Sequence, residues 1–199
     1  MGSLPESQLR QMGFRHLGSN VKISECASLH GVARISIGDE SRIDDFCVLS
    51  AGEGGISIGR HVHIASHCIL VGQGAIVLED FSGLSSRCAI YSSTDDYSGK
   101  SMTNPTVPDE FRDVTHAPVR LGRHALVGSG TTILPGVTLG EGAAVWAMSL
   151  VRGDCEPFQS YFGVPAKRMT RRSRDLLELE QRLEERRGSG SPSDDPSPR

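Results

Sequence analysis

The chain is 199 residues long, 37% hydrophobic but only 5% aromatic, with a formal net charge of -3. That is enough for one domain whose core must be built from aliphatic and small side chains. The charge offers no basic field for nucleic acid, no apolar run approaches the roughly 18 residues of a membrane span, and the first residues lack a signal-peptide apolar region, so the sequence reads as a soluble, cytoplasmic protein.

Residues 1–19 form the first segment. Leu9, Met12 and Phe14 sit at spacings that suit one face of a short helix, limited by Gly13 and Gly18, which reads as a lid on the rest of the chain. From Ile23 onward aliphatic residues return every sixth position in groups: Ile23 and Leu29; Ile37, Ile43 and Leu49; Ile58, Ile64 and Leu70; Leu78, Leu84 and Ile90. The pattern is cleanest from Leu121 through Val127, Ile133, Leu139 and Val145 to Val151. A period of six is neither helical nor that of one straight strand, and glycines come just after several of the aliphatics (Gly122, Gly128, Gly140). A short strand and a tight corner, repeated, predicts an all-β solenoid: a parallel β-helix with three short strands per coil around a triangular core. Three hexads per turn give about six coils and a prism about 29 Å tall. The register stacks Cys47, Cys68 and Cys88 on one wall, with Ala27 below and Thr131 and Ser149 above. Five cysteines without a CxxC pair argue against a disulfide framework or structural zinc, and these three read as small buried hydrophobes.

The ladder lengthens slightly at HGVAR, AGEGG and GQGA, and breaks once. The step from Ile90 to Leu121 is 31 positions where six would serve, so a loop over 91–118 leaves the coil. It carries Tyr91, Tyr97, Phe111, paired acids and three prolines, a composition for function rather than for a linker. The solenoid spans 20–170. Over 171–187, Leu176, Leu177, Leu179 and Leu183 stripe a charged helix that reads as a cap and a subunit contact, and 188–199 is disordered by composition.

The ladder, the mid-ladder loop and the exit PFQSYFGVPAKRM together resemble the hexapeptide-repeat acyltransferases, most of all the sugar O-acetyltransferases of the galactoside/maltose and O-antigen/capsule type. General crossover rules favour right-handed connections, so the left hand of the predicted helix comes from this resemblance alone. The resemblance also implies acetyl-CoA as co-substrate and a homotrimer with active sites between subunits. The family's catalytic histidine opens the mid-ladder loop in a segment like S-T-H-D-Y-S; here Asp95 stands in its place. An ordinary aspartate is a poor general base near neutral pH, so His63 and His116 join Asp95 as candidates for the catalytic role. An amine acceptor would need little help from any of them. Gly128, Ser129 and Ala147 match positions along the pantetheine, Trp146 stands where the family has glycine, and Lys167 and Arg168 match a basic pair near the adenine and phosphates. Asp96, Tyr97 and Asn104 offer the polar and aromatic mixture that binds a saccharide or nucleotide-sugar acceptor. No metal is expected: seven histidines are present, but no two are five apart as the γ-class carbonic anhydrases of this fold require. The expected reaction is acetyl transfer to a hydroxyl or amino group of a sugar used in surface polysaccharide synthesis, the hydroxyl favoured. A nucleotide-amino-sugar N-acetyltransferase and a non-catalytic scaffold are the alternatives.

Overall fold

The computed structural model describes residues 2–188, so the tail from residue 189 on lies outside the described residues. The chain winds as a left-handed parallel β-helix of six complete coils and the start of a seventh. The first wall stacks His16–Leu17, Ile35–Ile37, Ile56–Ile58, Ile76–Leu78, Val119–Leu121 and Thr138–Leu139. The second stacks Lys22–Ile23, Arg42–Ile43, His63–Ile64, Gly83–Leu84, Leu126–Val127, Ala144–Val145 and Gln159–Gly163. On the third lie Ser28–His30, Val48–Ala51, Ile69–Gly72, Ala89–Tyr91, Thr132–Ile133 and Leu150–Val151. The winding thus begins at His16, whose strand already pairs with Ser36 and Ile37.

Each strand needs only two or three residues because its inward aliphatic fills a narrow core, and the ladder residues from Ile37 to Val151 are buried. The corners set the six-residue period. At the first corner, between first and second walls, Glu40, His61, Phe81, His124, Gly142 and Phe158 all have positive φ. The second corner repeats the device with Phe46, His67, Arg87, Gly130 and Met148. The left-handed conformation costs a non-glycine residue about 1–2 kcal/mol, and none of these is β-branched, where the cost is worst. The return is a hydrogen bond between coils: His61 N–H donates to the Asp39 carbonyl, Phe81 to Arg60, His124 to Asp80. The side chains stack too, with His61, Phe81 and His124 forming a column of nearly parallel rings whose centroids are 5.0 Å apart.

Inside the second corner the expected column from Ala27 to Ser149 is present, and it has a polar task. Cys47 Sγ lies 3.1 Å from the Ala65 carbonyl, Cys68 3.1 Å from that of Ser85, and Cys88 3.2 Å from that of Gly128. Thr131 and Ser149 donate to the Trp146 carbonyl in the same manner, at 3.1 and 2.8 Å. The position selects a small donor that satisfies a buried corner carbonyl, and a thiol is one of three that fit.

Two helices flank the prism. Helix α1 (Glu6–Gln11) buries Leu9 at its lower end. Helix α2 (Asp175–Gly188) differs from the expected cap: the top of the second wall is instead covered by Ala166–Arg171, paired antiparallel with Gln159–Gly163. α2 descends along the first corner, where Glu180 binds Arg123 and His124, Glu184 binds Arg60 at 2.7 Å, and Arg187 meets His61 at 2.8 Å. Its stripe is only half used, since Leu179 and Leu183 face solvent.

Both the cysteine column and the docking of α2 can be tested in solution. Contacts with Cys47 and Cys88, together with burial, push the Cys68 thiol far up, and burial with the adjacent Asp154 pushes Cys155 up to about 12. The neighbouring Cys68 pulls Cys47 and Cys88 the other way, so what protects the column is burial: disulfide-exchange titration of the native protein at neutral pH should modify exposed Cys26 alone, and the four buried cysteines only after denaturation; a second fast thiol would mean the column is open. Burial alone would raise Glu180, but the His124 and Arg123 contacts outweigh it and hold the carboxyl below the usual range. A depressed carboxyl stabilises docking above its unfolded pKa and loses that stabilisation as pH falls through its folded value. Hydrogen exchange, corrected for intrinsic rate, should show α2 protected at neutral pH and released below about pH 4, with Glu180→Gln weakly protected at both.

Candidate active site

The three short insertions (31–34, 52–55 and 73–75) and the long one all leave the coil at the third corner, between third and first walls. Coil stacking holds the short ones together: Gly52 N–H donates to the Gly72 carbonyl, Glu53 N–H to Gln73 Oε1 at 3.0 Å, and the Arg34 guanidinium to the Ala51 carbonyl. The long loop is rooted by a two-stranded antiparallel ladder, Ser93–Thr94 against Thr115–His116. Between the loop and the stacked insertions opens a cleft of about 960 Å³ whose polar lining includes Arg34, Glu53, Gln73, Asp95, Arg112 and His116. Asp95 is half-buried, and its carboxylate has no partner among the described residues. Beside it Ser93 Oγ accepts the Gln73 N–H and lies 2.8 Å from His116 Nδ1. The hydroxyl keeps a second lone pair, so it donates to Nδ1 when the His116 proton sits on Nε2 and accepts from Nδ1–H in the other tautomer.

A second depression, of about 290 Å³, lies on the second wall and second corner, lined by His63, Ala65, Gly83, Leu84, Ser85, Ser86, Leu126 and Ser129. His63 Nε2 is 2.9 Å from Asp44, which also receives Arg42. Burial alone would raise Asp44; the bonds from His63 and Arg42 outweigh it and hold the carboxylate ionised. An ionised acceptor on Nε2 turns Nδ1 of His63 toward the role of proton acceptor, the orienting arrangement of a nucleophile's base. Above this groove the coil stack continues through Gly128 and Ser129 to Trp146 and Ala147, then to Phe162, which pairs with Lys167.

The expected site residues therefore fall on two edges of the prism. Asp95 and His116 share the loop cleft; His63 and Ser129 share the second-wall groove, with Trp146, Ala147, Lys167 and Arg168 above it. Other members of the expected set are occupied structurally. The Asp96 carboxylate accepts the N–H and hydroxyl of both Ser98 and Ser101, which hold it far below the usual range, and so closes the loop tip. Asn104, at positive φ, accepts from Thr106 in a turn of its own. Tyr97 is 93% exposed and touches neither depression. Trp146 is exposed rather than a lid on the ladder, and Arg168 is drawn to Glu156 and Gln159. Gly128 is required by packing, since a Cβ there would lie 2.4 Å from the Ala147 nitrogen. Arg34, Glu53 and Gln73 join the site without a motif to mark them; their signal is the three insertions, whose common corner makes a wall of what reads in one dimension as scattered loop residues. Among the described residues no cluster of three or more potential ligands could hold a metal ion.

A β-helix with a substrate-sized loop cleft on one edge and a hydroxyl-lined groove beside a His–Asp pair on another is built for group transfer between two bound partners. No family model matches the chain. The chain is 49% identical over 180 residues to the dTDP-4-amino-4,6-dideoxy-D-glucose acyltransferase of Escherichia coli, covering 90% of this chain and 94% of that protein. It superposes on AntD, an N-acyltransferase from Bacillus cereus solved with dTDP and 3-hydroxybutyryl-CoA, with a TM-score of 0.88 and 36% identity, over 94% of this chain and 98% of AntD. A maltose O-acetyltransferase from Clostridium difficile shares the fold at a TM-score of 0.57 and 20% identity, over 84% of this chain and 74% of that one. The chain belongs to the hexapeptide-repeat acyltransferases.

The packing role of Gly128 can be separated from the groove role of its neighbour. Gly128→Ala should lower stability by about 1–3 kcal/mol through overpacking, whereas Ser129→Ala should stay within about 0.5 kcal/mol. Thermal unfolding tracked by circular dichroism decides it: a wild-type melt for Gly128→Ala would mean the glycine serves a ligand instead of the stack.

Proposed function

We propose that this enzyme transfers an acyl group from coenzyme A to the amino group of a dTDP-linked 4-amino-4,6-dideoxy sugar destined for a surface polysaccharide. The observation that carries this reading is Asp95, an unpartnered carboxylate in the loop cleft where a hydroxyl-directed relative would carry histidine. A hydroxyl nucleophile must lose its proton in the transition state to a base with a pKa near 7, which an aspartate does not supply. A neutral amine attacks a thioester unaided, and its ammonium form is a ligand a carboxylate holds well. Nitrogen adds to the thioester carbonyl, the C–S bond breaks, and the proton lost by nitrogen ends on the departing thiolate. The reading replaces the expected hydroxyl preference.

Similar proteins support it. AntD has been solved with dTDP-4-amino-4,6-dideoxyglucose and coenzyme A. Its solved variants alter a serine and an aspartate ten positions apart. Ser85 and Asp95 have that spacing here; so do Ser86 and Asp96, but Asp96 is consumed by the loop. Ser85 lies in the second-wall groove and Asp95 in the third-corner cleft, so one chain does not bring them together. A homotrimer in which the groove of one subunit faces the loop of its neighbour would do so. The stack from Ser85 through Ser129, Ala147 and Phe162 to Lys167 spans four strand spacings and gives an extended track of about 19 Å for the pantetheine arm. We place the reaction in the cytoplasm, with acetyl-CoA as the simplest donor.

The test is thiol release from acetyl-CoA with dTDP-4-amino-4,6-dideoxyglucose, its 4-hydroxyl counterpart and free sugars as acceptors. The amine should be the preferred acceptor. Asp95→Ala should raise its KM by about 10-fold or more through loss of a charged hydrogen bond. His63→Ala and His116→Ala should each cost less than the ~10²–10⁴-fold of a true general base. A hydroxyl sugar turned over faster than the amine would overturn the reading, and light scattering that finds a monomer would remove the shared site.

A further inference from the structure

The outward column of the second wall runs Lys22, Arg42, His63, Gly83, Leu126, Ala144, Ser160. Gly83 is the one position in that column without a side chain, and nothing in the fold asks for glycine there. Its φ is not in the left-handed region, and an added Cβ would meet only the His63 carbonyl oxygen and Leu126 Cδ1, both at 3.9 Å. That is ordinary contact. Gly128, one coil up, is different, because a Cβ there would strike backbone at 2.4 Å. A glycine in the middle of a strand costs about 0.5–1 kcal/mol relative to alanine, and where no turn or packing contact requires it, it marks the close approach of something else.

The missing side chain forms the floor of the second-wall groove. His63 stands one coil below it and Leu126, 47% exposed, one coil above, while the Ser85, Ser86 and Ser129 side chains lie on the flank toward the second corner. A notch with hydroxyls along one flank and an isobutyl group closing its upper end suits a short aliphatic chain that carries a polar substituent. It is larger than an acetyl methyl needs.

We propose that Gly83 sets the size of the acyl group: its empty side-chain position receives the carbons beyond the thioester carbonyl, admitting chains of up to about four carbons. This rests on the acyltransferase reading, with Ser85 at the reacting end of the groove. The acyl chain lies over Gly83 between His63 and Leu126, with the serines alongside, so each carbon added to residue 83 removes room for one carbon of the donor.

The experiment compares acetyl-, propionyl- and butyryl-CoA as donors to the amino sugar nucleotide, for the full-length protein and for Gly83→Ala and Gly83→Val. Binding of free coenzyme A is measured in parallel by calorimetry. The butyryl-to-acetyl ratio of kcat/KM should fall from wild type to alanine to valine, by roughly 10–200-fold for each carbon excluded, while coenzyme A binds all three alike. The Gly83→Ala variant keeps the test valid if valine disturbs the strand, because its Cβ has room. An unchanged ratio in an active Gly83→Ala protein overturns the proposal. Weakened binding of coenzyme A itself, with all donors affected equally, also overturns it and assigns the notch to the pantetheine arm. A wild-type protein that releases no thiol with any donor takes down the acyltransferase reading, and this inference with it.

Discussion

Every coil of this protein must present its backbone N–H and carbonyl groups in register with the coils above and below, at a spacing of about 4.8 Å. That requirement dictates what each corner can be. The first and second corners obey it with a positive-φ residue that donates to the preceding coil, and a longer path there would break the column. The third corner carries no such column through the middle coils, so extra residues can leave and return there without disturbing the ladder. The short insertions and the long loop all take that exit. The cleft is a consequence of where the stack tolerates irregularity.

The same constraint explains the inner face of the second corner. Corner carbonyls of Ala65, Ser85, Gly128 and Trp146 point inward and would be unpaired in an apolar core. An unpaired buried carbonyl costs about 1–3 kcal/mol, and a cysteine or threonine one coil below, joined at Trp146 by Ser149 of the same coil, removes that penalty. Because the backbone is fixed from the inside, the outward side chains of Ser85, Ser86 and Ser129 are held in place without hydrogen bonds of their own to the core. A rigid row of hydroxyls beside a groove is what a site that positions an acyl donor needs.

The ladder, the coil count and the cysteine stack were legible because each depends on a fixed period along the chain. The placement of α2 was not: its leucines suggest a capping face, but the groups that decide are Glu180 and Glu184, whose partners Arg123, His124 and Arg60 lie more than 50 residues away. Asp96 and Asn104 look like ligands in one dimension and are turn closers in three, since Asx side chains readily bind backbone two residues on. Gly128 follows its ladder aliphatic and Gly83 precedes one, but neither position says in sequence which glycine packs and which leaves space. Only the distance from an absent Cβ to the next coil separates a glycine that packs from one that leaves space. Asp95 was visible as a departure from the family's histidine, and it is the departure that points to the acceptor.

Dividing the site between two edges of the prism separates two demands. On the proposed reading the donor arm, long and the same in every turnover, lies along the rigid stack, where Ser129 and Ala147 are positioned by coil pairing. The acceptor varies among enzymes of this architecture, so it suits the loop, which can change without altering the ladder. On the proposed reading Asp95 belongs to the variable half. Exchanging histidine for a carboxylate at the loop root replaces a proton acceptor with a fixed negative charge, and in a half-buried cleft that charge favours a cationic acceptor over a neutral hydroxyl. The extra proton of a bound ammonium passes to solvent before attack, since only the neutral amine is the nucleophile. The choice of acceptor is then made by electrostatics at the loop and the choice of acyl group by space at the groove, and neither requires a change in the coil that holds both.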